Sequence, residues 1–399
     1  MIRDLRPFAA ATLLCCGGWL PIATAPSRAA ESPPSATATI QMAEVRLPQS
    51  RQWTMRATGS DREYTIYVAV PEGPAPEGGY ATIYVLDANT MFLTAVEAVR
   101  SYTRRRDAGP ETHVIVVGIG YPEGVDIPSA RTFDLTPEVY EPRNRHPSGG
   151  ADAFLDFIVN ELRPRIAREF PVDPYRQALM GHSYGGLFAI GTLTSRPEAF
   201  QTYVGMSSSF WFGNHDLSQR VEAFAQARTA GAQPTRVLLT VGEFEQRPRP
   251  EEWWRDPKRA ADAAKDLEWR GQSTHALEAA RQLSQAPGIL VDYQEIAGMD
   301  HGTVIPAAIG LGIDFILNGP REVPAVPTGE EYLQLGAEGR YRLRMQVRAL
   351  PDLHRVPWLN GLKASLGKDL DSATRTKLHE ERQQMDIQYG SRPRAVNVD

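Results

Sequence analysis

A serine hydroxyl attacks an ester carbonyl only when a base removes its proton and the backbone presents it openly. Gly181-His182-Ser183-Tyr184-Gly185 fits G-x-S-x-G, a sharp strand-to-helix turn that carries such a nucleophile. An apolar stretch, Gln177 to Met180, leads in, and a helix-like segment, Gly186 to Leu193, leads out. Small residues at Gly181 and Gly185 let the incoming strand and outgoing helix cross closely. The candidate base is His301, in Gly298-Met299-Asp300-His301-Gly302. Asp300, beside it, reads as a residue that fixes the loop.

A third group would orient the imidazole and stabilise its charged form. Val237 to Gly242 reads as a strand ending in glycine, followed by Glu243-Phe244-Glu245. Glu245 is the expected acid and Glu243 its rival, while a serine–histidine dyad without an acid is also open. Acyl transfer also needs donors aimed at the developing oxyanion. The backbone N–H of Tyr184 supplies one, and that of Ala88 the other, with Asn89 as the alternate.

These groups need a scaffold that brings distant segments to one edge. Residues 51–58 and 63–71 alternate apolar and polar residues around a Thr58-Gly59-Ser60-Asp61 turn, which predicts an antiparallel N-terminal hairpin. Residues 82–86 and 114–118 are short apolar runs, as in strands buried on both faces, with helical spacing between them over 91–102. Residues 150–170 place Phe154, Leu155, Ile158, Leu162 and Ile166 on one helical face. Further strands are expected over 202–206, 235–241 and 288–296, with helices over 260–284 and 304–317. Alternating strands and helices imply a mostly parallel sheet with helices on both faces, an α/β-hydrolase fold. The order serine, acid, histidine along the chain agrees with that fold.

Two segments are expected to shape a pocket. Arg131, in Arg131-Thr132-Phe133-Asp134, would hold a substrate carboxylate, catecholate or carbonyl, or else bind Asp134 or a backbone carbonyl. Phe210 and Trp211, after Ser207-Ser208-Ser209, would line an acyl or aryl site or else pack in the core. Trp253-Trp254 lies in an excursion after the acid, a place where lids occur.

The 399 residues are 42% hydrophobic and carry a formal net charge of −5, which argues against a nucleic-acid partner. Residues 1–30 read as a signal peptide: Arg3 and Arg6 precede an apolar stretch, and Ser27-Arg28-Ala29 suits cleavage. Cys15 and Cys16 both lie inside it, so the mature chain would have no thiol. The expected location is therefore periplasmic or secreted, with no membrane span in the mature chain. Residues 31–44 read as a linker, 45–318 as the hydrolase domain, and 319–399 as an extension of unassigned role with helical stretches near 331–349 and 372–387.

The chain resembles the putative-esterase family of the α/β-hydrolases, the group containing enterochelin-type siderophore esterases and esterase-D-like enzymes. The matching pieces are Tyr84-Val85-Leu86-Asp87, Arg131 to Pro137, Gly181 to Phe188, Ser207 to Trp211, Val241 to Glu245 and Asp300-His301-Gly302, spanning roughly residues 45–318. The resemblance implies serine-dependent hydrolysis of a small-molecule ester, with Ser183 and His301 catalytic and no metal or organic cofactor. In the periplasmic siderophore esterases it resembles, the acid can be missing. Transfer of the acyl group to an alcohol, or a binding role without catalysis, are the alternatives on the same fold.

Overall fold

Eight strands pair in the order β1-β2-β4-β3-β5-β6-β7-β8, and the alternation of apolar runs with amphipathic segments explains the arrangement. β1 (Ser50–Arg56) and β2 (Glu63–Ala69) form the expected hairpin, and β2 runs antiparallel to β4 (Val114–Gly120). The remaining strands are parallel: β3 (Tyr80–Val85), β5 (Val172–His182), β6 (Thr202–Met206), β7 (Thr235–Gly242) and β8 (Ile289–Ile296). The computed structural model describes residues 45–389 except 107, 110–111, 140, 142, 231–233, 251–255 and 368–369. The signal peptide, the linker and Trp253-Trp254 lie outside the described residues. From Leu47 onward the described residues form one compact unit, the C-terminal helices included. Among the described residues no helix is long and apolar enough to cross a membrane.

Successive side chains on a strand point to opposite faces of the sheet, so each central strand feeds two cores. Tyr84, Leu179, Tyr203 and Leu239 pack with Leu187 and Leu193 of α5 (Tyr184–Ser195) and Leu283 of α8 (Gln272–Ser284). Ile83, Val85, Met180, Val204 and Leu238 pack on the other face with Phe92 and Val96 of α1 (Ala88–Thr103) and Ile309 and Ile313 of α9 (Ile305–Asn318). Helix α2 (Ile127–Leu135) follows β4 and carries Arg131.

Three elements differ from the sequence expectation. The helical run over 150–170 is α3 (Ala151–Asp156), a π-helical turn (Phe157–Leu162) and α4 (Arg163–Glu169). Pro164 near the start of α4 has no N–H to give back to the preceding turn, which accounts for the wider winding there. The turn buries Phe157 beside the expected Phe154, Leu155, Ile158, Leu162 and Ile166. The single helix expected over 260–284 is two, α7 (Pro257–Arg270) and α8, because Gly271 adopts a left-handed conformation (φ 53°, ψ 32°) between them. The C-terminal extension holds α10 (Gly329–Gln334), α11 (Gly336–Arg348), α12 (Asp352–Leu366) and α13 (Ser372–Gln388), of which α12 was not anticipated. Helix α12 packs against the edge strand β8, where His354 Nε2 donates to Asp292 Oδ1 and to the Val291 carbonyl, both at 2.9 Å.

Candidate active site

The site sits at the carboxyl ends of β3, β5, β6, β7 and β8, where the parallel strands deliver their loops to one side. β5 ends at His182 and α5 begins at Tyr184, so Ser183 alone makes the bend, with φ 60° and ψ −116°. A non-glycine residue in that region is strained and persists only where its surroundings impose it. Ser183 N–H donates to the Met206 carbonyl at 2.9 Å, and its own carbonyl accepts from Leu187 N–H at 2.9 Å and Ser209 N–H at 3.2 Å. A Cβ on Gly181 would lie 2.4 Å from the backbone of Gly185, so only glycine permits this crossing.

His301 arrives from the loop between β8 and α9. Its Nε2 lies 3.0 Å from Ser183 Oγ, and its Nδ1 lies 2.6 Å from Glu245 Oε2. Glu245 ends a short 3₁₀ turn after β7 and is 2% exposed, which makes an unpaired charge there costly. Its other oxygen accepts from Ser207 Oγ at 2.5 Å and Gly242 N–H at 2.6 Å. Burial pushes the Glu245 carboxyl upward, but the hydrogen bonds from His301, Ser207 and Gly242 outweigh it and hold the group below its ordinary value. Glu243, the rival acid, turns away and accepts from Gly298 N–H at 2.8 Å, bracing the histidine loop. That loop lies close to the acid turn: Phe244 N–H donates to the Met299 carbonyl at 2.8 Å, and a Cβ on Gly242 would meet that carbonyl at 2.6 Å. Asp300 Oδ1 fixes the loop from within, accepting from Gly302 N–H, Thr303 N–H and Thr303 Oγ1.

The two expected oxyanion donors are both first residues of helices, whose amides have no acceptor within the helix. The parallel register pairs Val85 with Met180, so Ala88 and Ser183 each follow three residues after a paired position on neighbouring strands. The side chain of Asn89, whose amide is the alternate donor, bridges Tyr121 N–H at 2.8 Å and the Tyr121 carbonyl at 2.9 Å.

Of the two protein partners expected for the Arg131 guanidinium, Asp134 and a backbone carbonyl, the structure shows neither; it pairs with Asp87, through Nε at 2.8 Å and Nη2 at 2.9 Å. Asp87 itself is left-handed (φ 51°, ψ 41°) and directly precedes Ala88, so the pair fixes the loop carrying that amide. The same guanidinium lies 5.5 Å from the centre of the Tyr184 ring. Asp134 pairs instead with Arg62 at 3.3 Å, and burial pushes its carboxyl up to about 6. Phe210 also departs from the expectation of a pocket wall: it is fully buried in the core, its backbone held by the tight turn after Ser207. Trp211 keeps a place beside the site, its ring 6.0 Å from Tyr184 and 5.8 Å from Trp269, with Arg270 over its face at 4.8 Å.

Two residues escaped the sequence reading. Ser207, left-handed at φ 48°, completes the acid's hydrogen bonds from the end of β6. His182, the unconstrained second position of the serine motif, is buried, and its Nε2 lies 2.8 Å from the His301 carbonyl. Only the position of Ser207 at a strand end carried a signal. The arrangement suits acyl transfer: a hydroxyl on a strained turn, a base whose second nitrogen faces a buried carboxylate, and two backbone donors at helix starts.

The model of the Putative esterase family matches residues 57–280. The ferri-bacillibactin esterase BesA of Bacillus subtilis strain 168 is 33% identical over 288 residues, covering 70% of this chain and 91% of that protein. The siderophore enterobactin esterase of Emericella nidulans is 32% identical, covering 65% of this chain and 90% of that protein. The solved structure of siderophore hydrolase EstA from Aspergillus nidulans superposes with a TM-score of 0.62 at 30% identity, covering 70% of this chain and 99% of that one.

Proposed function

This chain belongs to the putative esterase family, hence to the carboxylic ester hydrolases, and we propose that it cleaves siderophore esters through an acyl-enzyme on Ser183. The observation that carries the mechanism is the single imidazole bridging Ser183 Oγ and the buried Glu245. Glu245 accepts the Nδ1 proton of His301, which leaves Nε2 unprotonated and facing the serine. As Ser183 Oγ bonds to the ester carbon, its proton passes to His301 Nε2. The N–H groups of Tyr184 and Ala88 receive the negative oxygen, and the Arg131–Asp87 pair keeps the Ala88 amide in place. Collapse of the intermediate breaks the ester C–O bond, and His301 protonates the departing alkoxide. Water then attacks the acyl-enzyme, giving its proton to His301, and Ser183 leaves as the alcohol again.

The substrate class rests on the relatives, whose names specify ferri-bacillibactin and enterobactin as their substrates. Trp211, whose ring neighbours that of Tyr184, packs against the more exposed Trp269 and lies under the Arg270 guanidinium, an aromatic and cationic cluster that suits aryl groups and anionic chelates. Iron in such a substrate is cargo. The test is a panel of ferric and iron-free trilactone siderophores, a hydroxamate ester siderophore and p-nitrophenyl acetate. A siderophore should be hydrolysed with a kcat/KM at least about 100-fold above p-nitrophenyl acetate, because remote contacts lower the barrier only for a substrate that makes them. Rapid turnover of the simple ester with no cleavage of any siderophore would reject the substrate class while leaving the esterase chemistry intact.

A further inference from the structure

The His182 side chain is a titratable group that touches the base residue and has no part in the mechanism above. It closes β5, immediately before the nucleophile, and is 7% exposed. Burial, with His301 nearby, depresses its imidazole to about 4, so the ring is neutral at physiological pH. A carbonyl oxygen only accepts, so the 2.8 Å contact to the His301 carbonyl requires the proton on His182 Nε2. The ring is thus a fixed-tautomer donor spanning from the serine's strand to the histidine's loop, 119 residues apart in sequence. Its centre stands 4.6 Å from that of the His301 ring.

We infer that His182 is a positioning residue that sets the backbone of the catalytic base relative to the adjacent nucleophile. This rests on the reading of Ser183 and His301 as nucleophile and base. His301 is then held at two points besides the reacting one: its ring by Glu245 and its carbonyl by His182. Among the described residues the other ties on that loop act on different residues. Met299 is bonded by Phe244, Gly298 by Glu243, and Gly302 and Thr303 by Asp300. Losing the His182 bond therefore leaves the loop attached but frees the peptide unit that aims the imidazole. Neutrality matters as well. His301 becomes positive when it takes the serine proton, and a neutral neighbour adds no repulsion to that step. Because its Nε2–H faces a carbonyl, His182 carries no proton to or from the reaction.

Two variants separate the donor from the ring. His182→Phe keeps an aromatic ring without a donor. His182→Gln places an amide nitrogen the same number of bonds from Cα. Steady-state kinetics on p-nitrophenyl acetate and the rate of labelling by diisopropyl fluorophosphate should both fall about 10- to 100-fold in the Phe variant, with KM within about 2-fold of the parent, as expected for a small misplacement of a reacting group. The Gln variant should recover most of the loss, within about 5-fold of the parent. Thermal melts confirm that both fold. A Phe variant with parental kcat and labelling, or a folded Gln variant as slow as Phe, would overturn the inference. If Ser183→Ala also retained parental turnover, the fault would lie in the underlying reading rather than in His182.

Discussion

Two histidines of this chain each face a nearly fully buried carboxylate, and they are put to different uses. His301 meets Glu245 through Nδ1, and its Nε2 points at Ser183. His354 meets Asp292 through Nε2, and that same nitrogen also reaches the Val291 carbonyl. The acids are alike in burial, Glu245 at 2% and Asp292 at 5% exposed. What differs is which ring nitrogen faces the acid and what lies beyond the other. In the proposed mechanism the acid of the first pair orders the tautomer and leaves a lone pair for a proton. In the second the nitrogen that faces the acid also meets the Val291 carbonyl, and the pair ties α12 to the edge strand. Residue types therefore do not make a relay. A strained serine in front of the free nitrogen does.

The comparison is broken most severely by removing the acid's charge while keeping its shape. Glu245→Gln should lower kcat by about 10³- to 10⁴-fold, because the amide can hold the unproductive tautomer of His301. Steady-state rates on p-nitrophenyl acetate read this directly. A loss under about 10-fold would reduce the machinery to a serine–histidine dyad and erase the distinction from His354. The smaller effect belongs to the other pair. His354→Ala should leave kcat unchanged and lower stability by about 1–3 kcal/mol, the usual scale for hydrogen bonds to a charged group. Asp292 holds the His354 imidazole above its ordinary value. A raised value means the charged pair contributes fully below the unfolded histidine value of about 6.5 and loses that contribution as pH rises through the folded value. Denaturant melts of parent and variant should therefore differ most near pH 5–6 and converge in alkali.

Much of this was legible because the informative residues occupy forced positions. Ser183 lies on a turn where Gly181 is required by a 2.4 Å approach to the backbone of Gly185, and the order of strand ends brings His301 and the segment of Glu245 to the same edge. The choice of Glu245 over Glu243 was harder. Both follow the same glycine, and only the 3₁₀ turn decides which carboxylate turns inward. The Arg131–Asp87 pair was not legible, since its partners are 44 residues apart and Asp134 offered a nearer acid. His182 and Ser207 stand at positions that accept many residue types locally, and their roles exist only after β5, β6 and the histidine loop assemble. The break at Gly271 was overlooked because helical periodicity continues on both sides of one left-handed residue.

In the proposed reaction Ser183 Oγ, activated by His301, is the atom that bonds to the substrate's carbonyl carbon. Treating the protein with diisopropyl fluorophosphate and locating the adduct by peptide mass spectrometry tests it at the atom concerned. One adduct is expected, on the peptide containing Ser183, absent from Ser183→Ala and formed at least about 10³-fold more slowly in His301→Ala. Adduct formation on another serine with concurrent loss of esterase activity, or full activity in Ser183→Ala, would contradict it.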